Sequence, residues 1–272
     1  MVLDALERSH GAALIYARTR RSVERWAERL GQHGVEATPY HAGLDHVTRH
    51  GALTRFLDRQ RPVLVATVAF GMGVDRADVG LVLHLDIPAT PEGYLQESGR
   101  AGRDGKTAHC LVLFSPGDRT SLGWAMQSSL GDAPSLEERR RLDLAQQQLR
   151  RMEAVAEGEM CRQQSLLLAV GEIVTPCGRC DRCQASPQRR DWSGQVETLL
   201  SHLAEEDGTD IRRLGSHLAL HEPGRGERWT WLARRLVQEE LIRESNDGRQ
   251  RLYLQESGRR YLDSPWPLDY AA

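Results

Sequence analysis

Gly11-Ala12-Ala13-Leu14-Ile15-Tyr16-Ala17 is the stretch that decides the fold of the first part of this chain. It is a short apolar run, as expected of a strand buried on both faces of a parallel sheet. Similar runs follow at residues 62–67, 80–85 and 108–114, with a weaker candidate at residues 35–40. Helical spacing of apolar residues at 20–33 and 45–58 separates the runs. We therefore expect an α/β lobe over residues 1–118, a parallel sheet with helices on both faces.

The remaining sequence predicts two smaller domains. Residues 119–187 combine a highly charged helical stretch with a segment that contains four cysteines, and we interpret them as a mainly α zinc-binding domain. Residues 188–272 show three helical segments followed by strand candidates at residues 241–244 and 250–254. The intervening Asn246-Asp247-Gly248 is a strong hairpin signal. Three helices and a hairpin are typical of an α+β winged-helix domain.

The charge of the chain excludes a wholly basic, histone-like nucleic-acid binder. The formal net charge is −2 and the isoelectric point lies near 6.6, so any contact with DNA depends on local patches. Residues 191–272 hold 11 basic and 15 acidic side chains and are acidic overall. No apolar run approaches the roughly 20 residues of a membrane helix, and the charged start at residues 1–8 is unlike a signal peptide. We expect a cytoplasmic protein without a membrane partner, associated with the nucleoid if it is bacterial.

Four cysteines have the spacing C-x15-C-x2-C-x2-C, at Cys161, Cys177, Cys180 and Cys183. A CxxC step lets two thiolates reach one ion from a single turn, and structural zinc prefers four ligands in a tetrahedron. Disulfides and unpaired buried thiols are the alternatives, but disulfides are rare in cytosolic proteins. We predict a structural zinc site without an open position for catalysis. The fifth cysteine, Cys110, lies in a strand run and is expected to pack in the core.

Gln96-Glu97-Ser98-Gly99-Arg100-Ala101-Gly102-Arg103-Asp104-Gly105 is the most informative stretch for function. Two arginines three residues apart at the end of a helix project in nearly the same direction, and the glycines let the backbone approach another surface closely. A guanidinium group suits a phosphate that gains negative charge during transfer, which is the role of an arginine finger. A solvent-exposed turn rich in arginine and aspartate is the alternative. The chemistry of this stretch alone does not decide between the two.

Gly105-Lys106-Thr107 has the ending of a Walker A loop and contains the only lysine of the chain. The motif requires a glycine at the position of Arg100, and Gly99 lies one residue too early. A strand should lead into such a loop and a helix should leave it. Here a helical segment leads in and the strand candidate at 108–114 follows. We therefore reject a phosphate-binding loop, and with it a phosphotransfer enzyme based on Lys106.

Four motifs, in order along the chain, resemble those of RecQ-family DNA helicases. Residues 96–105 are similar to helicase motif VI, and Val65-Ala66-Thr67-Val68-Ala69-Phe70-Gly71-Met72-Gly73-Val74-Asp75 resembles motif V. Residues 15–20 and 40–44 resemble the motif IV region. Met160-Cys161-Arg162 with residues 176–183 resembles the zinc module of the family. The resemblance covers nearly the first 185 residues, and the winged-helix match after them is weaker.

In RecQ-like helicases ATP lies between two RecA-like lobes, and the resemblance assigns residues 1–118 to the second lobe. It implies that the arginine fingers are Arg103 and Arg100, that Gln96 positions them, and that the nucleotide cleft is lined by Gly71, Gly73 and Asp75. ATP and Mg²⁺ would bind only together with a first lobe, because these 272 residues contain neither GxxxxGK[ST] nor an Asp-Glu-Ala-His-type box. We therefore expect negligible ATPase and unwinding from this chain alone.

The resemblance also implies contacts with DNA at a junction of single and double strands. Candidates for contacts with the single-strand backbone are Arg18, Thr19, His41 and Thr67, and a hydrogen-bonded turn histidine is an equal alternative for His41. Candidates for duplex phosphates are Arg243, Arg249 and Arg251 of the hairpin. The implied activity is 3′→5′ unwinding in DNA repair or recombination.

Two features keep alternatives to this DNA-binding role open. The hairpin turn carries no aromatic residue and the last domain is acidic, so a structural or protein-binding role for that domain is not excluded. The alternative for the whole chain is a standalone zinc-stabilised winged-helix protein that binds DNA or regulates a partner, without a role in ATP hydrolysis.

Overall fold

The computed structural model describes residues 1–68, 70, 76–129, 135–185, 188–218, 226–245 and 249–271. They form two compact units, Met1–Arg119 and Thr120–Ala272. The further boundary near residue 187 that the sequence suggests stays a prediction. Within the described ranges, no helix combines the length and the apolar character that crossing a membrane requires.

The first unit is a five-stranded parallel sheet with helices on both faces. Its strands are β1 (Ala12–Tyr16), β2 (Ala37–Tyr40), β3 (Val63–Ala66), β4 (Val79–His84) and β5 (His109–Val112). Its helices are α1 (Val2–Arg8), α2 (Arg20–Gln32), α3 (His46–Asp58) and α4 (Pro91–Ser98), and α5 (Pro116–Ser128) begins at its end. The strand order β2-β3-β1-β4-β5 places β1 in the centre. The predicted α/β lobe is confirmed.

The central strand β1 is apolar along its whole length because it lies between two helical layers. Ala13 and Ile15 pack with residues of α1 and α2 on one face of the sheet. Leu14 and Tyr16 pack with Phe56 of α3 on the other face. Successive side chains of a strand point to opposite faces, so only an uninterrupted apolar run satisfies both layers.

The second unit contains seven complete helices and five strands among its described residues. Its helices are α6 (Leu136–Glu157), α7 (Arg162–Ala169), α8 (Asp181–Gln184), α9 (Ser193–Glu205), α10 (Ile211–Leu218), α11 (Gly226–Gln238) and α12 (Glu256–Asp263). Its strands are β6 (Arg189–Asp191), β7 (Thr209–Asp210), β8 (Ile242–Glu244), β9 (Arg251–Leu254) and β10 (Asp269–Ala271). Ser135 and Glu138 form a capping box that starts α6, which satisfies N–H groups that a helix start leaves unpaired.

The last 80 or so residues share a hydrophobic core of their own. Leu199 of α9, Leu214 of α10 and Leu232 of α11 are fully buried in it, together with Leu252 of β9. Strands β8 and β9 pair antiparallel, which confirms the predicted strand pair, and β7 adds a third strand beside β9. The turn signal at residues 246–248 lies outside the described residues.

Two features of the fold differ from the sequence predictions. Cys110 is exposed rather than packed in the core, because its strand β5 lies at the edge of the sheet and has a neighbour on one side only. The antiparallel pair of β6 and β10 is absent from the predictions. Residues 189–191 are exposed and charged, so they carry no apolar alternation from which a strand could be inferred.

Candidate functional site

The four predicted cysteines come together in the second unit. The sulfur atoms of Cys161, Cys177, Cys180 and Cys183 all lie within 4.8 Å of one another. The sulfurs of Cys161 and Cys180 are 3.9 Å apart, close to the roughly 3.8 Å between two sulfurs on a tetrahedron with Zn–S bonds of about 2.3 Å. Cys161 is buried at the start of α7, and Cys180 precedes α8. The arrangement fits a structural zinc ion with four thiolate ligands.

Backbone N–H groups that point at the sulfur atoms favour their thiolate forms. The N–H of Cys177 donates to Cys161 Sγ over 3.2 Å, and the N–H of Arg162 donates to Cys180 Sγ over 3.4 Å. The N–H of Arg179 lowers the pKa of the Cys177 thiol. Burial and the neighbouring thiols raise the pKa of Cys183 to about 12. Zinc binds thiolates, so binding of the ion at Cys183 would displace a proton.

Arg162, whose role is not evident from the cysteine spacing, holds the zinc region together. Its guanidinium group donates to the carboxylate of Asp181, with Nη2 to Oδ2 at 2.7 Å and Nε to Oδ1 at 2.9 Å. Nη1 donates to the carbonyl oxygens of Val155 and Ala156, in the last turn of α6. A cation at this end of a helix satisfies carbonyl groups that lack a helical partner. Arg162 thus joins the end of α6 to the start of α8, beside two zinc ligands.

Glu159 connects the zinc region to the sheet of β6 and β10. Its carboxylate accepts from the guanidinium group of Arg189 at 2.9 Å and from the N–H of Ala271 at 2.8 Å. Arg189 and Ala271 are directly paired across the two strands. One carboxylate therefore fixes both strands next to the chain segment that carries Cys161.

The arginine-bearing segment of the first unit turns sharply after α4. The N–H of Gly102 donates to the carbonyl oxygen of Val79 at 2.9 Å, which holds the turn against the start of β4. Gly102 has φ of +65°, and a Cβ there would lie 3.0 Å from the carbonyl oxygen of Lys106. A residue other than glycine would be strained in this conformation. The backbone of this segment therefore approaches another surface closely, as expected, and that surface is the start of β4 in the same unit.

Arg100 is buried, with 8% of its surface exposed. It lies at the carboxyl end of the sheet, beside the hydroxyl group of Tyr16. That hydroxyl donates to the carbonyl oxygen of Phe70 at 3.2 Å, and the Tyr16 ring stacks on His84 at 4.9 Å between centroids. His84 contacts the Glu97 carboxylate at 2.6 Å. Burial raises the pKa of Tyr16, and the charge of Arg100 opposes this effect.

Arg103 occupies a different environment from Arg100. It is exposed, and its Nε donates to the carbonyl oxygen of Gly99 at 3.3 Å. Gln96 is also exposed, on α4. The two arginines therefore do not present one common surface, and Arg103 is the one whose side chain lies at the exterior of this unit.

The four predicted single-strand contacts gather at one edge of the sheet. Arg18 and Thr19 follow β1, His41 follows β2 and Thr67 follows β3. These strands are parallel, so all four residues lie at the carboxyl ends, where α/β sheets bind ligands. Arg18 and Thr19 are exposed, and Thr67 is partly exposed.

His41 differs from the other three because 3% of its surface is exposed. Its Nδ1 accepts from the N–H of Gly43 at 3.2 Å, and its Nε2 lies 3.2 Å from Glu24 Oε1. Both ring nitrogens are thus engaged within the lobe. The geometry favours the hydrogen-bonded turn histidine that the sequence left open. Thr19 also has a local role, since its hydroxyl oxygen caps α2 by accepting from the N–H of Ser22.

The remaining predicted residues fall into two groups. Gly71, Gly73 and Asp75 lie outside the described residues. Three arginines are exposed: Arg243 on β8, Arg249 before β9, and Arg251 on β9. The guanidinium carbon of Arg243 lies 4.6 Å from the ring centroid of Tyr253, a cation–π contact.

Comparison with known proteins finds a helicase domain followed by a zinc-binding region, in the order that the sequence motifs predicted. Residues 1–105 match the helicase conserved C-terminal domain, and residues 116–184 match the RecQ zinc-binding region. The chain is 38% identical to the ATP-dependent DNA helicase RecQ of Bacillus subtilis over 193 residues, which is 71% of this chain and 32% of that protein. It is 34% identical to the protein of the same name from Pasteurella multocida over 211 residues, 77% of this chain and 31% of that protein.

Solved structures are similar to part of the chain at lower identity. The E. coli DEAD-box protein SrmB, bound to a regulator of ribonuclease activity, is 25% identical, with a TM-score of 0.39 over 47% of this chain and 74% of that chain. The chain spans about a third of the length of the bacterial relatives named above.

A helicase C-terminal domain joined to this type of zinc-binding region defines the class of protein. The chain belongs to the RecQ family of DNA helicases and corresponds to a C-terminal portion of those proteins. The four-cysteine cluster is their structural zinc site, as the cysteine spacing predicted.

Proposed function

We propose that this chain is the second motor lobe and the DNA-binding end of a RecQ-type ATP-dependent DNA helicase. The observation that carries the proposal is the succession of a helicase C-terminal domain and a RecQ zinc-binding region in one chain. Residues 1–118 act as the second RecA-like lobe, residues 119–187 as the zinc-binding domain and residues 188–272 as a winged helix. The whole enzyme unwinds DNA 3′→5′ in repair or recombination.

Arg103 is the arginine finger of this helicase. It stabilises negative charge on the γ-phosphate of ATP held by the first lobe. Its exposure in the turn after α4 supports this role, because a finger must reach a neighbouring lobe. Arg100 acts from inside the lobe, since its contact with Tyr16 fixes the turn that carries Arg103. Gln96, Gly71, Gly73 and Asp75 complete the nucleotide cleft.

Single-stranded DNA follows the carboxyl edge of the sheet. Arg18 and Thr67 lie there with exposed or partly exposed polar groups, which suit contacts with phosphate. Thr19 and the buried His41 stabilise the structure of this edge. Their side chains do not bind DNA. Arg243, Arg249 and Arg251 contact the duplex from the β8–β9 strand pair, where their exposure leaves them accessible.

A complementation experiment tests this proposal. The chain is mixed with a first lobe prepared from the Bacillus subtilis relative, and ATP hydrolysis is measured with and without single-stranded DNA. We expect negligible hydrolysis from either half and DNA-stimulated hydrolysis from the mixture. The second lobe of the same relative serves as the positive control. Hydrolysis with the control but none with this chain would count against the motor function.

The exposed hairpin arginines favour one other function, a standalone DNA-binding protein. Such a protein binds duplex or junction DNA by itself, with affinity that falls as salt increases. It gains nothing from a first lobe, and Arg103→Ala leaves its DNA affinity unchanged. Fluorescence anisotropy with a labelled junction, in parallel with the hydrolysis assay, separates the two functions.

A further inference from the structure

A second group of metal-binding side chains lies in the second unit, outside the cysteine cluster. His202, Glu206 and His217 each offer a ligand atom, and these atoms lie within 4.8 Å of one another. His202 lies in the last turn of α9, Glu206 is the residue directly after that helix, and His217 is on α10. Two ligands therefore come from the C-terminal end of one helix and the third from the next helix.

The surrounding structure holds two of these three residues in place. The rings of His202 and His217 are 5.6 Å apart between centroids. The buried hydroxyl group of Thr209 donates to the carbonyl oxygen of Glu206 at 2.8 Å and lies 3.5 Å from Nε2 of His202. Thr209 begins β7, which pairs with β9. Two of the three ligating residues are therefore tied to the sheet before any ion binds, which lowers the entropy lost on binding.

The charge at this position favours a cation. The three residues Glu205, Glu206 and Asp207 are consecutive and acidic, and they lie at the end of α9, where the helix carries partial negative charge. Imidazole nitrogens together with one carboxylate suit divalent transition metals of borderline softness, in contrast to the all-oxygen sites of Mg²⁺ and Ca²⁺.

We propose that His202, Glu206 and His217 form a second metal site, specific for a divalent transition-metal ion such as Zn²⁺ or Ni²⁺. Three protein ligands leave at least one coordination position for water or an external ligand. The ion links the end of α9 to α10. It therefore stabilises the core shared by α9, α10 and α11 without a role for the four cysteines.

The test uses Ni²⁺ as the probe and the full chain with zinc already bound to its cysteines. Calorimetric titration gives the affinity, and a zinc indicator in the same buffer reports any exchange at the cysteines. We expect His217→Ala and Glu206→Gln each to weaken one Ni²⁺ site by about tenfold or more, since each removes a ligand. Both side chains are exposed, so both variants should fold. In the unsubstituted chain Ni²⁺ should also raise the melting temperature, and His217→Ala should abolish that shift.

His50→Ala is the matched control. His46 and His50 are also four apart on a helix, with rings 6.4 Å apart, but no third ligating group joins them among the described residues. This variant should leave the proposed site intact. Equal Ni²⁺ affinity in the unsubstituted chain and in His217→Ala would overturn the proposal, as would Ni²⁺ binding that only His50→Ala removes.

Discussion

Arg100 and Arg103 are three residues apart in the sequence and occupy different environments. The spacing predicted that the two side chains project in the same direction. It could not show that Arg100 instead contacts Tyr16, at the end of β1, inside the unit. That partner comes from a strand more than 80 residues earlier in the chain. The contacts of Arg162 with α6 and of His41 with Gly43 and Glu24 could not be inferred from the sequence either, although these partners are nearer in the chain. They depend on which backbone and side-chain groups the fold brings beside these residues.

The two arginines should therefore differ in their effect on stability. We expect Arg100→Ala to lower the free energy of unfolding of the first unit by about 2–4 kcal/mol, because it leaves buried polar partners without their cation. Arg103→Ala should change it by at most about 0.5 kcal/mol. Hydrogen exchange of the β1 amide groups measures both effects. Similar protection in the two variants would show that Arg100 is not part of the buried network.

Arg162 gives a second prediction at this scale. Arg162→Ala removes hydrogen bonds to Asp181 and to the end of α6, and we expect a loss of about 2–4 kcal/mol from the second unit. Arg141→Ala is the control, because Arg141 forms an exposed pair with Glu137 that contributes about 0.5 kcal/mol or less. Urea unfolding followed by circular dichroism measures both. Equal midpoints would contradict the role given to Arg162.

At the scale of elements, the zinc site was predictable because its ligands are close together in the sequence. Three of the four cysteines lie within seven residues, so local spacing carries most of the information. The strands of the first unit were predictable for a related reason, since burial between two helical layers demands an apolar run. The pair of β6 and β10 was not, because its order depends on Glu159 and on a partner strand about 80 residues away.

Substitution within and outside the cluster tests the zinc site. Cys180→Ser should lose bound zinc and, with it, much of the helical signal of α7 and α8, because a structural ion contributes folding free energy. Cys110→Ser removes a thiol that is outside the cluster and should retain the full zinc content. Atomic absorption and circular dichroism on both variants give the comparison. A zinc content of Cys180→Ser equal to that of Cys110→Ser would reject a four-thiolate site.

The affinity for zinc should fall as the pH is lowered. Zinc binds thiolates and must displace protons, and burial and its neighbours raise the pKa of the Cys183 thiol to about 12. Protons therefore compete with the metal throughout the neutral range, and competition strengthens at lower pH. A chelator competition at pH 7.5 and pH 6 should give weaker binding at pH 6. Equal affinity at the two values would mean that the cluster is already fully deprotonated.

At the scale of the whole molecule, the family could be predicted from the sequence because motif order and cysteine spacing are local patterns. The roles of individual residues could not be settled in the same way. Gly71, Gly73 and Asp75 lie outside the described residues, and the proposed arginine finger would act on a nucleotide bound by a separate first lobe. Function at this scale therefore depends on an assembly of two lobes, of which this chain is proposed to be one.

Hydrolysis of ATP by the complemented enzyme with Arg103→Ala tests the central claim most directly. The control is Arg25→Ala, which removes an exposed arginine from α2. We predict that Arg103→Ala lowers kcat by about a thousandfold, as expected for an arginine finger, while Arg25→Ala leaves it nearly unchanged. DNA-stimulated hydrolysis that is equal in the two variants would contradict the account.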